Sequence, residues 1–263
     1  MDLGLKGAKV LVTGASQGLG AATARRFSLE GALVVISSRN LGKLQATAKA
    51  INEESGNPVY THAADVTDPD SVGKLIENTV SSLGGLDILV TNAGGPAGGK
   101  FESFDFEAWQ KGTELTFLSA VNLVRHALPH LKKSERAAVL AITSRTVKEP
   151  IMNLTMSNVL RAPVTAMMKT LSREHGADGI RFNSILPGWT LTERVDYLMN
   201  NFAEANKITV EEQIQKVTTN IPLGRMGDPE EFANAAAFLC SPAGGFINGT
   251  TLLVDGGETM SIF

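Results

Sequence analysis

Three glycines, Gly14, Gly18 and Gly20, fall in the run KVLVTGASQGLGAATARRF, directly behind a β-branched apolar stretch and at the start of a segment with helical periodicity. Glycines so placed allow a sharp strand-to-helix turn and the close approach of a pyrophosphate, whose charge meets free N–H groups at the helix N-terminus. The pattern points to a dinucleotide; a tight turn without a ligand is the alternative reading. The next apolar run ends VVISSRN, so Ser37, Ser38 and Arg39 stand where an NAD-preferring site offers an acidic residue to the adenosine ribose. A guanidinium at that place pairs with a 2′-phosphate, and the small hydroxyls leave it room. NADP(H) is therefore favoured over NAD(H), with a solvated Arg39 as the competing reading.

Other side chains able to move protons are few. Tyr60 and Tyr197 are the only tyrosines. Tyr60 falls in a strand and reads as packing, whereas Tyr197, in TERVDYLMN, is a proton donor if its segment closes over the site. Lys148 is another proton source if burial lowers its pKa, and a solvated loop lysine otherwise. Arg145 either clamps a carboxylate or phosphate on a substrate or forms a structural ion pair. His62, His126, His130 and His175 show no ligand grouping with Cys, Asp or Glu, so no metal is expected.

The elements that must position these residues can be read from periodicity. Strands are expected at 8–13, 32–37, 57–63, 87–91, 137–143, 180–186 and 250–254, and helices near 18–30, 40–55, 68–83, 105–131, 153–175 and 228–240. The strand runs are apolar on both faces, which predicts an α/β fold with a seven-stranded parallel sheet covered by helices on both sides. The chain has 263 residues, 43% of them hydrophobic, enough for one large domain over 1–263. One long interruption, at about 189–227, follows the sixth strand, where open α/β sheets bind ligands, and reads as a lid or as a structural helical hairpin. With 24 basic and 27 acidic residues there is no broad attraction to nucleic acid or to an anionic membrane, so the expected partner is a small molecule. A single cysteine and the absence of a signal-peptide layout predict a cytoplasmic protein.

With these motifs in place, the chain resembles the short-chain dehydrogenase/reductase family over essentially its whole length. TGASQGLG matches the family's TGxxxGxG, ADV at 64–66 its adenine-contacting pair Asp65 and Val66, and NAG at 92–94 its motif after the fourth strand. PGWTLT at 187–192 and VDGG at 254–257 match its later landmarks. The resemblance implies a doubly wound Rossmann-type domain, a nicotinamide coenzyme, a carbonyl/alcohol substrate and a homotetramer or homodimer paired through the helices at 105–131 and 153–175. It further implies a coenzyme site of Gly14, Ser16, Gly18, Leu19, Gly20, Ser38, Arg39, Asp65, Val66, Asn92, Ala93, Gly94, Pro187, Gly188, Thr190 and Thr192, with Asn92 and Ala93 on the adenosine side and the two threonines beside the carboxamide.

The resemblance breaks at the chemistry. The family uses Asn, Ser, Tyr and Lys. Ser144 matches the serine, but the tyrosine position thirteen residues on holds Ser157, the lysine position four beyond that holds Arg161, and the asparagine position holds Thr116. A phenol titrates near ~10 and is lowered by a neighbouring ammonium, whereas an alcohol is a far weaker acid. Arg161 can hold the nicotinamide ribose with fixed donors but will not deprotonate. The expectation is an NADP(H)-dependent oxidoreductase with an altered centre built on Ser144, Ser157 and Arg161. The alternative is a dinucleotide-binding or sensing protein on the same fold that has lost catalysis.

Overall fold

The computed structural model describes residues 1–262. The apolar runs form seven strands, β1 (Lys9–Thr13), β2 (Leu33–Ser38), β3 (Val59–Ala63), β4 (Ile88–Thr91), β5 (Ala138–Ile142), β6 (Arg181–Pro187) and β7 (Thr251–Val254). Every pairing is parallel, in the order β3-β2-β1-β4-β5-β6-β7. Successive residues of a strand face opposite sides, so β1 sends Val10 and Val12 into one core and Leu11 into the other. The first core is closed by α1 (Gly18–Leu29), α2 (Leu41–Ser55) and α10 (Pro229–Cys240), through Phe27, Leu44 and Phe232. The second is closed by α3 (Pro69–Leu83), α5 (Ser119–Leu131) and α7 (Ala162–Glu174), through Leu75, Leu123 and Met168. Phe27, Phe182 and Phe232 are fully buried, each contributing about 1.5–3 kcal/mol by leaving water.

Helix starts follow side-chain chemistry. Asn40 caps α2, accepting from the Lys43 N–H, and Asp68 caps α3, accepting from the Asp70 N–H, as TDPDS suggests. Asp228 and Glu231 form a capping box on α10. Helix α1 differs: Gln17 makes no side-chain cap, and no acidic residue lies in the first turn.

Two of the expected helices are interrupted. The 105–131 segment consists of α4 (Phe106–Thr113), a π-helical turn over Glu114–Leu118 that contains Thr116, and α5. The 153–175 segment divides at Arg161 into α6 (Thr155–Leu160) and α7, because Pro163 has no N–H to give the carbonyl four residues back and its ring crowds that carbonyl. The 189–227 segment holds α8 (Glu193–Asn206) and α9 (Val210–Thr218) around a small third core of Trp189, Leu198 and Met226 that Leu154, before α6, completes. Its two ends meet. Thr190 and Gly227 form a parallel bridge, with Leu191 N–H donating to Gly227 O and Gly227 N–H to Trp189 O, both at 2.9 Å.

The first turn of α1 lies on the backbone after β1. A Cβ on Gly20 would stand 2.4 Å from the Gly14 carbonyl oxygen, closer than any van der Waals contact allows. Gly20→Ala is therefore expected to push α1 off the turn and destabilise the protein by about 1–3 kcal/mol, read as a lower urea midpoint at unchanged m-value.

Candidate active site

Since all strands run one way, the segments leaving β1, β4, β5 and β6 share one edge of the sheet. They enclose a cavity of about 440 Å³ with α8 above it. At one end lie Gly14, Gly18 and Leu19. Gly14 and Gly18 have φ of 59°, a left-handed backbone that favours glycine. Asn92 Nδ2 donates to Gly14 O at 3.1 Å, and Thr13 Oγ1 both receives the Asn92 N–H at 3.0 Å and donates to Asn92 O at 2.7 Å. Asn92, expected on the adenosine side, is thus a fastener between the turn and the end of β4, and it also lines the cavity.

Ala93, Gly94, Pro187, Gly188, Thr190 and Thr192 line the same cavity. The Thr190 hydroxyl donates to Gly188 O at 3.4 Å. The Thr192 hydroxyl donates to Thr190 O at 3.2 Å and accepts from Val195 N–H as the cap of α8. Ser16, Gly20, Ser38, Arg39, Asp65 and Val66 do not line it. Ser38 and Arg39 end β2 beside the Ala63–Asp65 stretch, where Ala64 N–H donates to Ser38 O at 3.1 Å. Arg39 is exposed, and Ser38 Oγ is buried without a hydrogen-bond partner. The Asp65 carboxylate receives the Thr67 N–H at 3.0 Å and the Thr67 hydroxyl at 2.8 Å. Those bonds, the backbone one foremost, hold it below the usual carboxylate range, and the charge of Arg39 adds to the effect. The Ser16 carbonyl accepts from Thr47, and Val66 packs on the second core.

Ser144, Ser157 and Arg161 line the cavity together. The Ser144 oxygen accepts from Thr146 N–H at 3.2 Å, which leaves its own O–H free to donate. Ser157 is buried and shares a 3.4 Å hydrogen bond with Thr146 Oγ1, a contact that sequence reasoning missed because Thr146 belongs to none of the matched motifs. Arg161 Nη1 donates to the carbonyl oxygen of Thr143 at 3.1 Å and of Ile142 at 3.5 Å, at the end of β5. Burial first, and then the positive charge of Arg194, pull its guanidinium down to about 10, so it stays a cation at neutral pH. Thr116 sits in the π-helical turn, and its hydroxyl is buried without a partner.

The other candidate proton sources lie elsewhere. Tyr197 is more than half exposed and does not line the cavity; Arg194 lies over its ring at 5.6 Å. Lys148 does not line the cavity either, and Tyr60 is on the partly exposed third strand. Among the described residues no three His, Cys, Asp or Glu side chains gather as a metal site, and no helix is long and apolar enough to cross a membrane.

Arg145 resolves as a structural ion pair. Its Nη2 meets Glu258 Oε1 at 2.5 Å with both side chains about nine-tenths buried, and Trp189 Nε1 donates to the same oxygen at 3.1 Å. One carboxylate thereby joins the segments that follow β5, β6 and β7. Burial still pushes the Glu258 carboxyl above its ordinary value, with Arg145 opposing.

Comparison with known proteins accords with this geometry. Residues 14–259 match the family model described as enoyl-(acyl carrier protein) reductase. The chain is 36% identical to 3beta-hydroxysteroid dehydrogenase 1 of Eggerthella lenta over 259 residues, covering 97% of this chain and 95% of that protein. The chain belongs to the short-chain dehydrogenase/reductase family. L-sorbose reductase of Gluconobacter frateurii, solved with NADPH and L-sorbose, superposes with a TM-score of 0.94 at 33% identity, covering all of both chains. An NADPH-bound short-chain oxidoreductase of Pseudomonas aeruginosa PAO1 with an atypical catalytic centre gives 0.88 at 29% identity, covering 97% of this chain and 98% of that one.

The buried pair yields a prediction with a definite sign. Arg145→Gln leaves the Glu258 carboxylate buried with only an indole donor, which raises its pKa in the folded state further. A carboxyl raised on folding gives stability that is fully present below its unfolded pKa and lost as pH rises through the folded one. The variant is expected to lose about 3–5 kcal/mol near neutral pH and less at acidic pH, where the carboxyl takes a proton. Urea denaturation at the two pH values reads the difference.

Proposed function

We propose that this protein is an NADP(H)-dependent oxidoreductase acting on a carbonyl/alcohol pair, in which the Ser157 hydroxyl and the Arg161 guanidinium stand in for the phenol and ammonium of the family pattern, beside the retained Ser144. The carrying observation is that Ser144, Ser157 and Arg161 face one cavity whose far end is the glycine turn. The residues present fit a dinucleotide: Gly14 and Gly18 face the cavity without a Cβ, α1 is uncapped and lacks acids in its first turn, and the exposed Arg39 suits a 2′-phosphate. Relatives of the same fold bind NADPH, which supports that coenzyme here.

Backbone N–H groups at Gly18 and Leu19 would meet the diphosphate, and Arg161 would hold the nicotinamide ribose. When bound, the coenzyme gives or takes the hydride. The chain's own task is to orient the carbonyl and to manage the charge that grows on its oxygen. Ser144 does so with its free O–H, since its acceptor side is already occupied by Thr146 N–H. Ser157, linked to Thr146, adds a second hydroxyl that passes on a proton drawn from solvent, an alcohol being too weak an acid to supply one itself. The surfaces of α4 to α6 keep Phe106 and Val159 exposed, which supports subunit pairing through these helices in a homodimer or homotetramer. The small-molecule chemistry and the lone buried Cys240 suit a cytoplasmic setting.

The cavity holds no phenol, and that favours a second reading, a coenzyme-binding protein without turnover. NADPH titration followed by a carbonyl and alcohol panel separates the two. An enzyme binds NADPH and turns over a narrow set of substrates, and Ser144→Ala lowers kcat by about 10²-fold at unchanged NADPH affinity. Turnover that appears only in the double variant Ser157→Tyr, Arg161→Lys identifies the native protein as a binder.

A further inference from the structure

Arg194 faces the cavity from the first turn of α8, a place where the helix dipole disfavours a cation and where its neighbours Glu193 and Asp196 are acidic. Its guanidinium is nonetheless held firmly. Nη2 donates to Pro96 O at 2.8 Å, and the Tyr197 ring covers one face at 5.6 Å. The loop after β4 makes room for it: a Cβ on Gly95 would stand 3.0 Å from both Nε and Nη2 of Arg194. That gives the glycine at position 95 of NAGGPAGG a steric reason. Among the described residues Arg194 has no carboxylate partner, and neither has Arg161, although the two are close enough for one charge to depress the other. Glu258, the buried acid nearby, is already committed to Arg145.

Two half-buried guanidiniums beside a cavity, one of them fixed in place with donors to spare, form a site for an oxyanion. Such an oxyanion has two sources here, the coenzyme diphosphate and a carboxylate on the substrate. The placement favours the substrate. The glycine turn that would cradle the diphosphate has Thr192 and Glu193 as its neighbours on the α8 side, whereas the Arg194 guanidinium is held against Gly95 and Pro96 in the loop after β4. Beside these polar groups the wall carries an apolar patch of Ile151, Leu154, Val195 and Leu198. Building on the oxidoreductase reading above, we propose that Arg194 is the specificity residue for a carboxylate on a substrate with an apolar body, and that Gly95 is glycine to let it reach that position.

The probes are phenylglyoxylate and phenylpyruvate, each against its primary amide, bound to the full-length protein with and without NADP⁺ and followed by quenching of Trp189 fluorescence. At least one acid is expected to bind about tenfold or more tightly than its amide. Arg194→Gln should abolish that ratio, Arg194→Lys should keep part of it, and Gly95→Ala should reduce it, while NADPH affinity stays within about twofold throughout. Absence of acid preference for both pairs in the native protein overturns the proposal. So does an Arg194→Gln variant that weakens NADPH as much as it weakens the acid, since the guanidinium then serves the diphosphate. Failure of NADPH to bind the native protein defeats the coenzyme reading instead, and the acid-to-amide ratio is still measured on the unloaded protein.

Discussion

The parallel direction of all seven strands is the constraint from which the site follows. Because no strand returns, every loop that leaves a carboxyl end must emerge on one edge, and the switch in order between β1 and β4 opens a crevice there. Asn92 and Thr13 stitch the two strands that flank this crevice, and Glu258 ties together the loops after β5, β6 and β7 through Arg145 and Trp189. Side chains far apart in sequence are in this way held within one cavity by a handful of polar contacts whose groups have little water to turn to.

The polar groups at the end of β5 are matched to their surroundings. Arg161 is a fixed cation with little proton mobility, and the carbonyl oxygens of Ile142 and Thr143 at the end of β5 receive it. The Ser157 hydroxyl, a far weaker acid than a phenol, finds Thr146 rather than standing alone in a buried position. Nothing in this arrangement disturbs the glycine turn, which belongs to a different loop and a different helix.

Much of the architecture was legible in the sequence because strands buried on both faces leave unbroken apolar runs, and all seven lie within two residues of their expected bounds. The interruption at Arg161 was also written there: a proline two residues further on cannot continue a helix, though the amphipathic pattern on either side of it concealed the break. The π-helical turn at Glu114–Leu118 carries no comparable local signal. Arg145 could not be resolved in advance, since its two readings differ only in whether an acid 113 residues away reaches it, a matter of tertiary packing. Arg194 left a readable trace, a basic residue in a first helical turn that otherwise obeys the dipole, but without the loop after β4 that trace had nothing to point to. Of the coenzyme positions expected from motif matching that do not line the cavity, Ser16 lies within the glycine turn with its carbonyl on Thr47, while Asp65 and Val66 follow the edge strand β3.

The bridge between Thr190 and Gly227 has an evolutionary consequence. An excursion of 36 residues between Thr190 and Gly227, which leaves and re-enters the scaffold through one bridged pair and supplies most of a small apolar nucleus, can be lengthened, shortened or exchanged with little disturbance to the layers beneath. Such a cassette lets a lineage sample new molecular diets while its nucleotide platform stays fixed.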